Sequence, residues 1–125
     1  MSPAEDAALL LMLVRRHLLT LSFGLDPSCP AEDWGFTAQQ AVEKLLKTLI
    51  VLRDQRPPRS HELADLAALA ELALDPLLLK LQPFAVEARY EEGPFALPAE
   101  RTVLMGRLEA LLAHCEAAVA RAARP

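Results

Sequence analysis

Cys29-Pro30-Ala31-Glu32-Asp33-Trp34-Gly35-Phe36-Thr37-Ala38-Gln39-Gln40-Ala41-Val42-Glu43-Lys44-Leu45-Leu46-Lys47-Thr48-Leu49-Ile50-Val51-Leu52-Arg53 is the stretch whose reading decides the fold. Cys29-Pro30 opens a helix, because proline loses nothing in a first turn whose N–H groups have no intrahelical partner. Glu32 and Asp33 then place two carboxylates where the helix dipole favours negative charge. Leu45, Leu46, Leu49 and Ile50 recur at helical spacing and mark the face to be buried. The pattern predicts one long helix ending at about Arg53.

The rest of the chain reads the same way. Ser2-Pro3-Ala4-Glu5 is a capping box with proline at the first helical position, and its helix should run to about Ser22, ahead of Gly24. Ser60 should cap a third helix from His61 to about Leu74, carrying Leu63, Leu66, Ala67, Ala70 and Leu74 on one face. Asp75-Pro76 restarts a helical stretch to Tyr90 that Pro83 should kink, since proline removes a backbone donor and crowds the preceding turn. Gly93, Pro94 and Pro98 form a loop. A last helix from about Ala99 to Ala122 carries Val103, Leu104, Leu108, Leu111, Leu112, Cys115 and Val119 as its apolar stripe, and residues 120–125 should fray.

Composition agrees. Leu and Ala supply 48 of 125 residues, against 11 for Val, Ile and Thr together, so side chains that favour strands are scarce. The reading is an all-α, up-and-down bundle of four to five helices, with residues 1–125 as a single domain. The longest apolar run, Ala7 to Val14, is too short to span a bilayer and has neither the flanks nor the cleavage site of a signal peptide. A cytoplasmic location is therefore expected. Cys29 and Cys115 form no zinc or redox spacing and read as reduced thiols. No metal or cofactor is expected, and no phosphate-binding or dinucleotide fingerprint occurs.

Charge is uneven. From Lys44 to His61 five basic residues (Lys44, Lys47, Arg53, Arg56 and Arg59) face one acid, Asp54, leaving 8 basic and 16 acidic residues elsewhere. If Ser60 caps the third helix, its free N–H groups, Arg56, Arg59 and His61 would form an anion or nucleotide site; the plain alternative is a solvated basic loop. The acidic remainder argues against broad, nonspecific nucleic-acid binding. On the second helix Gln39, Gln40, Glu43, Lys44 and Lys47 form either a surface ladder or a partly buried polar ridge. Trp34 and Phe36 read as core anchors or dimer contacts, and His17 as a surface histidine. Leu9 to Val14 carry more apolar surface than one bundle stripe needs, which points to a homodimer.

Three ordered elements then resemble a known family. Phe36-Thr37-Ala38-Gln39-Gln40-Ala41-Val42-Glu43-Lys44-Leu45-Leu46-Lys47 resembles the signature helix of HEPN domains. Ser60-His61-Glu62-Leu63 is similar to the family's Thr-His-Asp-Leu helix start, and Ala88-Arg89-Tyr90 to its Ala-Arg-Tyr element. The first helix is more apolar than the family pattern. The resemblance implies a helical bundle, commonly a homodimer in bacteria or archaea, often partnering a minimal nucleotidyltransferase in a toxin–antitoxin-type module. Nucleotide or RNA would be the ligand. Ribonuclease members carry an arginine, four to six residues and a histidine, with a polar residue after the arginine. The histidine would move the proton of the attacking 2′-hydroxyl and the arginine would stabilise phosphate charge. Arg56 to His61 and Arg107 to His114 have the count, but Pro57 and Leu108 stand at the polar position. A non-catalytic binding partner is the leading expectation, and a metal-independent endoribonuclease using Arg107 and His114 the alternative.

Overall fold

The computed structural model describes residues 2–124, with the side chain of Arg89 outside the description. Among the described residues there is helix and no strand: α1 (Pro3–Phe23), α2 (Ala31–Leu52), α3 (Leu63–Leu69), α4 (Pro76–Leu79), α5 (Glu87–Tyr90) and α6 (Arg101–Ala122), with a 3-10 turn at Gln82–Phe84. The all-α reading holds.

The first two long helices start as their sequence dictates. Ser2 Oγ accepts from the Glu5 N–H at 3.2 Å and donates to the Glu5 carboxylate at 3.1 Å, so the capping pair forms. Pro30 precedes α2, and Glu32 and Asp33 lie in its first turn. α1 lies along α2, α6 packs on both, and α3 rests on α2. Trp34, Ala38, Val42, Leu45, Leu46 and Ile50 run down the buried side of α2 against Leu11, Val14, Leu21, Leu66, Leu104, Leu108 and Cys115. Gly35 is required within this helix, because the Phe84 ring lies where its Cβ would stand. Trp34 anchors the α1–α2 connection by donating its indole N–H to the Leu21 carbonyl at 3.0 Å.

Two expectations need correction. The third helix begins at Leu63, not His61, with Glu62 at its N-cap, and ends at Leu69 rather than near Leu74. Ser60 Oγ instead accepts from the Glu62 N–H at 3.0 Å, a tight local turn that competes with helix. At the other end Glu71 adopts a left-handed φ of 53°, and Leu72 N–H bonds back to the Ala67 carbonyl, which closes the helix. The stretch from Asp75 to Tyr90 is not one kinked helix but three short pieces with Pro83 in the middle one. Asp75 starts it, accepting from the Leu77 N–H at 2.9 Å.

Candidate functional site

The polar residues of α2 form a continuous hydrogen-bonded ridge, largely removed from water. Gln39 and Glu43 are 0% and 4% exposed, which decides for the ridge over the surface ladder. Glu43 Oε1 accepts from Gln39 Nε2 at 3.2 Å and contacts His61 Nδ1 at 2.8 Å, while Oε2 meets Lys47 Nζ at 3.3 Å. Gln39 Nε2 also reaches the His61 carbonyl at 3.3 Å. On the neighbouring row Gln40 Nε2 donates to Gln39 Oε1 at 2.8 Å, and Lys44 Nζ donates to Gln40 Oε1 at 3.3 Å. The order Lys44, Gln40, Gln39, Glu43, His61 is thus one chain of hydrogen bonds.

Electrostatics fix how the ridge is protonated. Burial works to raise the Glu43 pKa. The hydrogen bonds from His61 and Gln39, with Lys47 and His61 nearby, outweigh that and hold the carboxyl below its ordinary range. An ionised carboxylate only accepts, so His61 donates from Nδ1 and leaves Nε2 facing outward. The imidazole stays 59% exposed, so the arrangement is a solvent-facing ring steered by a buried anion. Such a ring holds an anion when protonated and takes a proton at Nε2 when neutral.

The expected anion site assembles only in part. His61 is held, and Arg56 and Arg59 are exposed. Arg56, however, lines a cleft of about 320 Å³ with Pro3, Asp6, Val51, Asp54, Gln55 and Pro57, so two carboxylates share its surroundings. The backbone donors expected from a Ser60-capped helix are already engaged. Glu62 N–H bonds Ser60 Oγ, and Leu63 N–H donates to Gln82 Oε1 at 2.6 Å.

Arg107 and His114 do share a wall of one cleft, about 220 Å³, with Leu74, Asp75, Leu78 and Leu111. Asp75 Oδ2 sits 2.6 Å from Arg107 Nη1, and that bond lowers the Asp75 pKa. A phosphate there would compete with a carboxylate for the same guanidinium. Tyr90 is 76% exposed, and the side chain of Arg89 lies outside the described residues. Among the described residues no group of His, Cys, Asp and Glu is arranged for a metal ion.

Sequence reading missed two features. Arg101 donates to the carbonyls of Gly24, Asp26 and Cys29 at 2.5, 3.0 and 2.7 Å and lies 5.9 Å from the centre of the Trp34 ring. It clasps the α1–α2 connection across more than 70 residues of chain, which no local pattern signals. His17 is half-buried rather than a surface residue, and its Nε2 is buried without a hydrogen-bond partner. Burial, then Lys44 and Arg16, lower its pKa. The one clue in the sequence was its place directly after Arg15-Arg16.

Among the described residues no helix is long and apolar enough to cross a membrane. Neither the comparison with curated proteins nor that with solved structures returned a match. The family model described as HEPN domain matches residues 28–116, from just before α2 to near the end of α6, and so takes in the whole ridge. The chain belongs to the HEPN domain family.

Proposed function

We propose that this HEPN protein is a non-catalytic, cytoplasmic binding module that takes the phosphate of a nucleotide or RNA ligand and partners a minimal nucleotidyltransferase, in a toxin–antitoxin-type pair of prokaryotic origin. The observation that carries the reading is the buried Glu43 holding His61 outward at 2.8 Å beside the basic 53–59 stretch. Burying a carboxylate is costly, and here the gain is a fixed imidazole at an exposed position. Arg59 and His61, with Arg56 and Ser60 in the same connection, supply the donors. Family membership supports a nucleotide- or RNA-related role. Homodimerisation through Leu9, Met12, Leu19 and Phe23 of α1 completes the proposal.

The ribonuclease alternative has one specific observation behind it, the shared cleft of Arg107 and His114. Asp75 on the arginine weighs against it, as does helix geometry, which sets the two Cα atoms about 10.5 Å apart along the axis. The test titrates adenosine triphosphate into wild type and into the Arg56→Ala/Arg59→Ala variant while following the His61 imidazole by NMR. A His61 shift that the variant loses supports the module, and equal, negligible shifts in both sink the site. Growth arrest on expression, abolished by His114→Ala, would decide for the ribonuclease.

A further inference from the structure

One row round α2 from His61's partners, the ridge ends at Lys44 in a recess between α1 and α2. Leu13, Arg16, His17, Thr20 and Lys44 line it, around a volume of about 270 Å³. That falls just below the roughly 300–1,000 Å³ of pockets that enclose a whole organic ligand, so the recess suits a compact group. Three of its five residues are basic and none is acidic. Three further clefts each carry a carboxylate in the wall: Asp6 and Asp54, Asp75, and Glu100.

The donors there are unspent. Among the described residues neither Arg16 nor Lys44 forms an ion pair, whereas Arg15, Lys47, Arg53 and Arg107 each hold a carboxylate. Lys44 uses one of its three N–H groups, on Gln40. The buried Nε2 of His17 has no partner, an unmet hydrogen bond that a folded protein rarely leaves. Burial lowers the Lys44 pKa, with Lys47 adding to the effect and Glu43 opposing it. Burial, Lys44 and Arg16 lower that of His17. Glu43, the nearest acid in that account, is turned toward His61 and Lys47.

The geometry points to a phosphoryl-binding site formed by Arg16, His17 and Lys44, taking inorganic phosphate or the phosphate of a small nucleotide. Arg16 supplies a planar fork for two oxygens and Lys44 a point charge, while the His17 ring stands in the recess wall beside them. Gln40 holds Lys44 in place through its carbonyl oxygen. Four of the five lining residues belong to α1, ahead of residue 28 where the family match begins, so the site joins α1 to the family helix. The inference extends the phosphate-binding reading of the protein to a second place, and the two stand or fall separately.

The test follows the His17 and His61 imidazoles by NMR while inorganic phosphate, adenosine monophosphate or adenosine is added. The proteins are wild type, Arg16→Ala/Lys44→Met and Arg59→Ala/His61→Ala. The expected result is a His17 shift with adenosine monophosphate and none with adenosine. That shift persists in Arg59→Ala/His61→Ala and weakens about tenfold or more in Arg16→Ala/Lys44→Met, whose thermal unfolding confirms that it folds. If inorganic phosphate acts as well, the free anion is a ligand; if only the monophosphate acts, the nucleotide is. Should Arg16→Ala/Lys44→Met not fold, Arg16→Gln alone must still weaken the shift. A response at His61 with none at His17 overturns this site and leaves the His61 reading intact. A His17 shift that adenosine produces equally also overturns it.

Discussion

Glu43→Gln separates a ridge that depends on charge from one that depends on shape. The amide is nearly isosteric, keeps one oxygen for Gln39 or His61, and places an NH₂ group opposite Lys47. Hydrogen bonds to charged groups contribute about 1.5–3 kcal/mol each, against about 0.5–1.5 for neutral ones. Weakening two of them and losing the third therefore points to a few kcal/mol. Two terms reduce the loss. The variant no longer buries a charge, and neither abandoned partner is trapped, because Lys47 and His61 side chains are 20% and 59% exposed and can turn to water. The cost should fall to about 1–3 kcal/mol, below the 3–5 seen when a deserted charge stays buried.

The assay is urea unfolding followed by the fluorescence of Trp34, the single tryptophan, which is 1% exposed when folded. Measuring it against pH gives the decisive curve. The folded pKa of Glu43 lies below its unfolded value near 4.5, so the stabilisation is complete above that value. It is lost as pH falls through the depressed folded pKa. The gap between wild type and variant should therefore be fully present above the unfolded value and narrow as pH falls below it. A gap under about 0.5 kcal/mol at pH 7, or one that does not change with pH, would refute the charge-dependent ridge.

Other expectations are simpler. Gly35→Ala should destabilise by about 1–3 kcal/mol, because the Phe84 ring occupies the space. Gly106→Ala, on an open face of α6, should stabilise by about 0.5–1 kcal/mol through helix propensity; thermal unfolding checks both signs. Iodoacetamide at pH 8 should alkylate Cys29 and spare Cys115, whose thiol burial and the neighbouring Glu116 push up to about 12; mass spectrometry of the native protein reads this directly. Leu9, Met12, Leu19 and Phe23 are 49%, 55%, 58% and 77% exposed on α1, so Met12→Asp/Leu19→Asp should turn a micromolar dimer into a monomer by light scattering.

Much of the fold was legible because apolar periodicity and caps act locally. Ser2, Pro30, and the Leu45, Leu46, Leu49 and Ile50 face declare α1 and α2 without reference to anything distant. α3 was read too long because its ends are set by competing local bonds. Ser60 turns back on Glu62, and Glu71 enters the left-handed region, a conformation that glutamate gives no warning of. The site was legible in part. Gln39, Gln40, Glu43 and Lys44 stood out as a group, but burial of Glu43 depends on His61, 18 residues away, arriving over it. The role of His17 was hidden for the same reason, since only the packing of α1 on α2 sets it beside Lys44.

The two rows of α2 explain how one helix serves both sides. Gln39, Glu43 and Lys47 are spaced four apart and face the connection that carries His61, while Gln40 and Lys44 form the next row, toward α1. The Gln40-to-Gln39 bond joins the rows, so each amide has its orientation set by both neighbours. Glutamine suits these positions because one side chain donates and accepts at once, passing the order from Lys44 to Glu43 without placing a second charge in the interior. An apolar pair at 39 and 40 would pack as well but would leave Glu43 with one donor fewer and Lys44 with none of its present acceptors. The ridge therefore acts as a holder for two basic ends, His61 and Lys44, in addition to its charge-dependent stabilisation. Gln40→Leu offers the sharpest check on that view, because Gln40 lines neither cleft wall nor core. It should leave the unfolding midpoint within about 1 kcal/mol of wild type while weakening any phosphate-induced shift at His17. Unchanged His17 response with Lys44 intact would mean that Lys44 needs no holder and that the ridge serves stability alone.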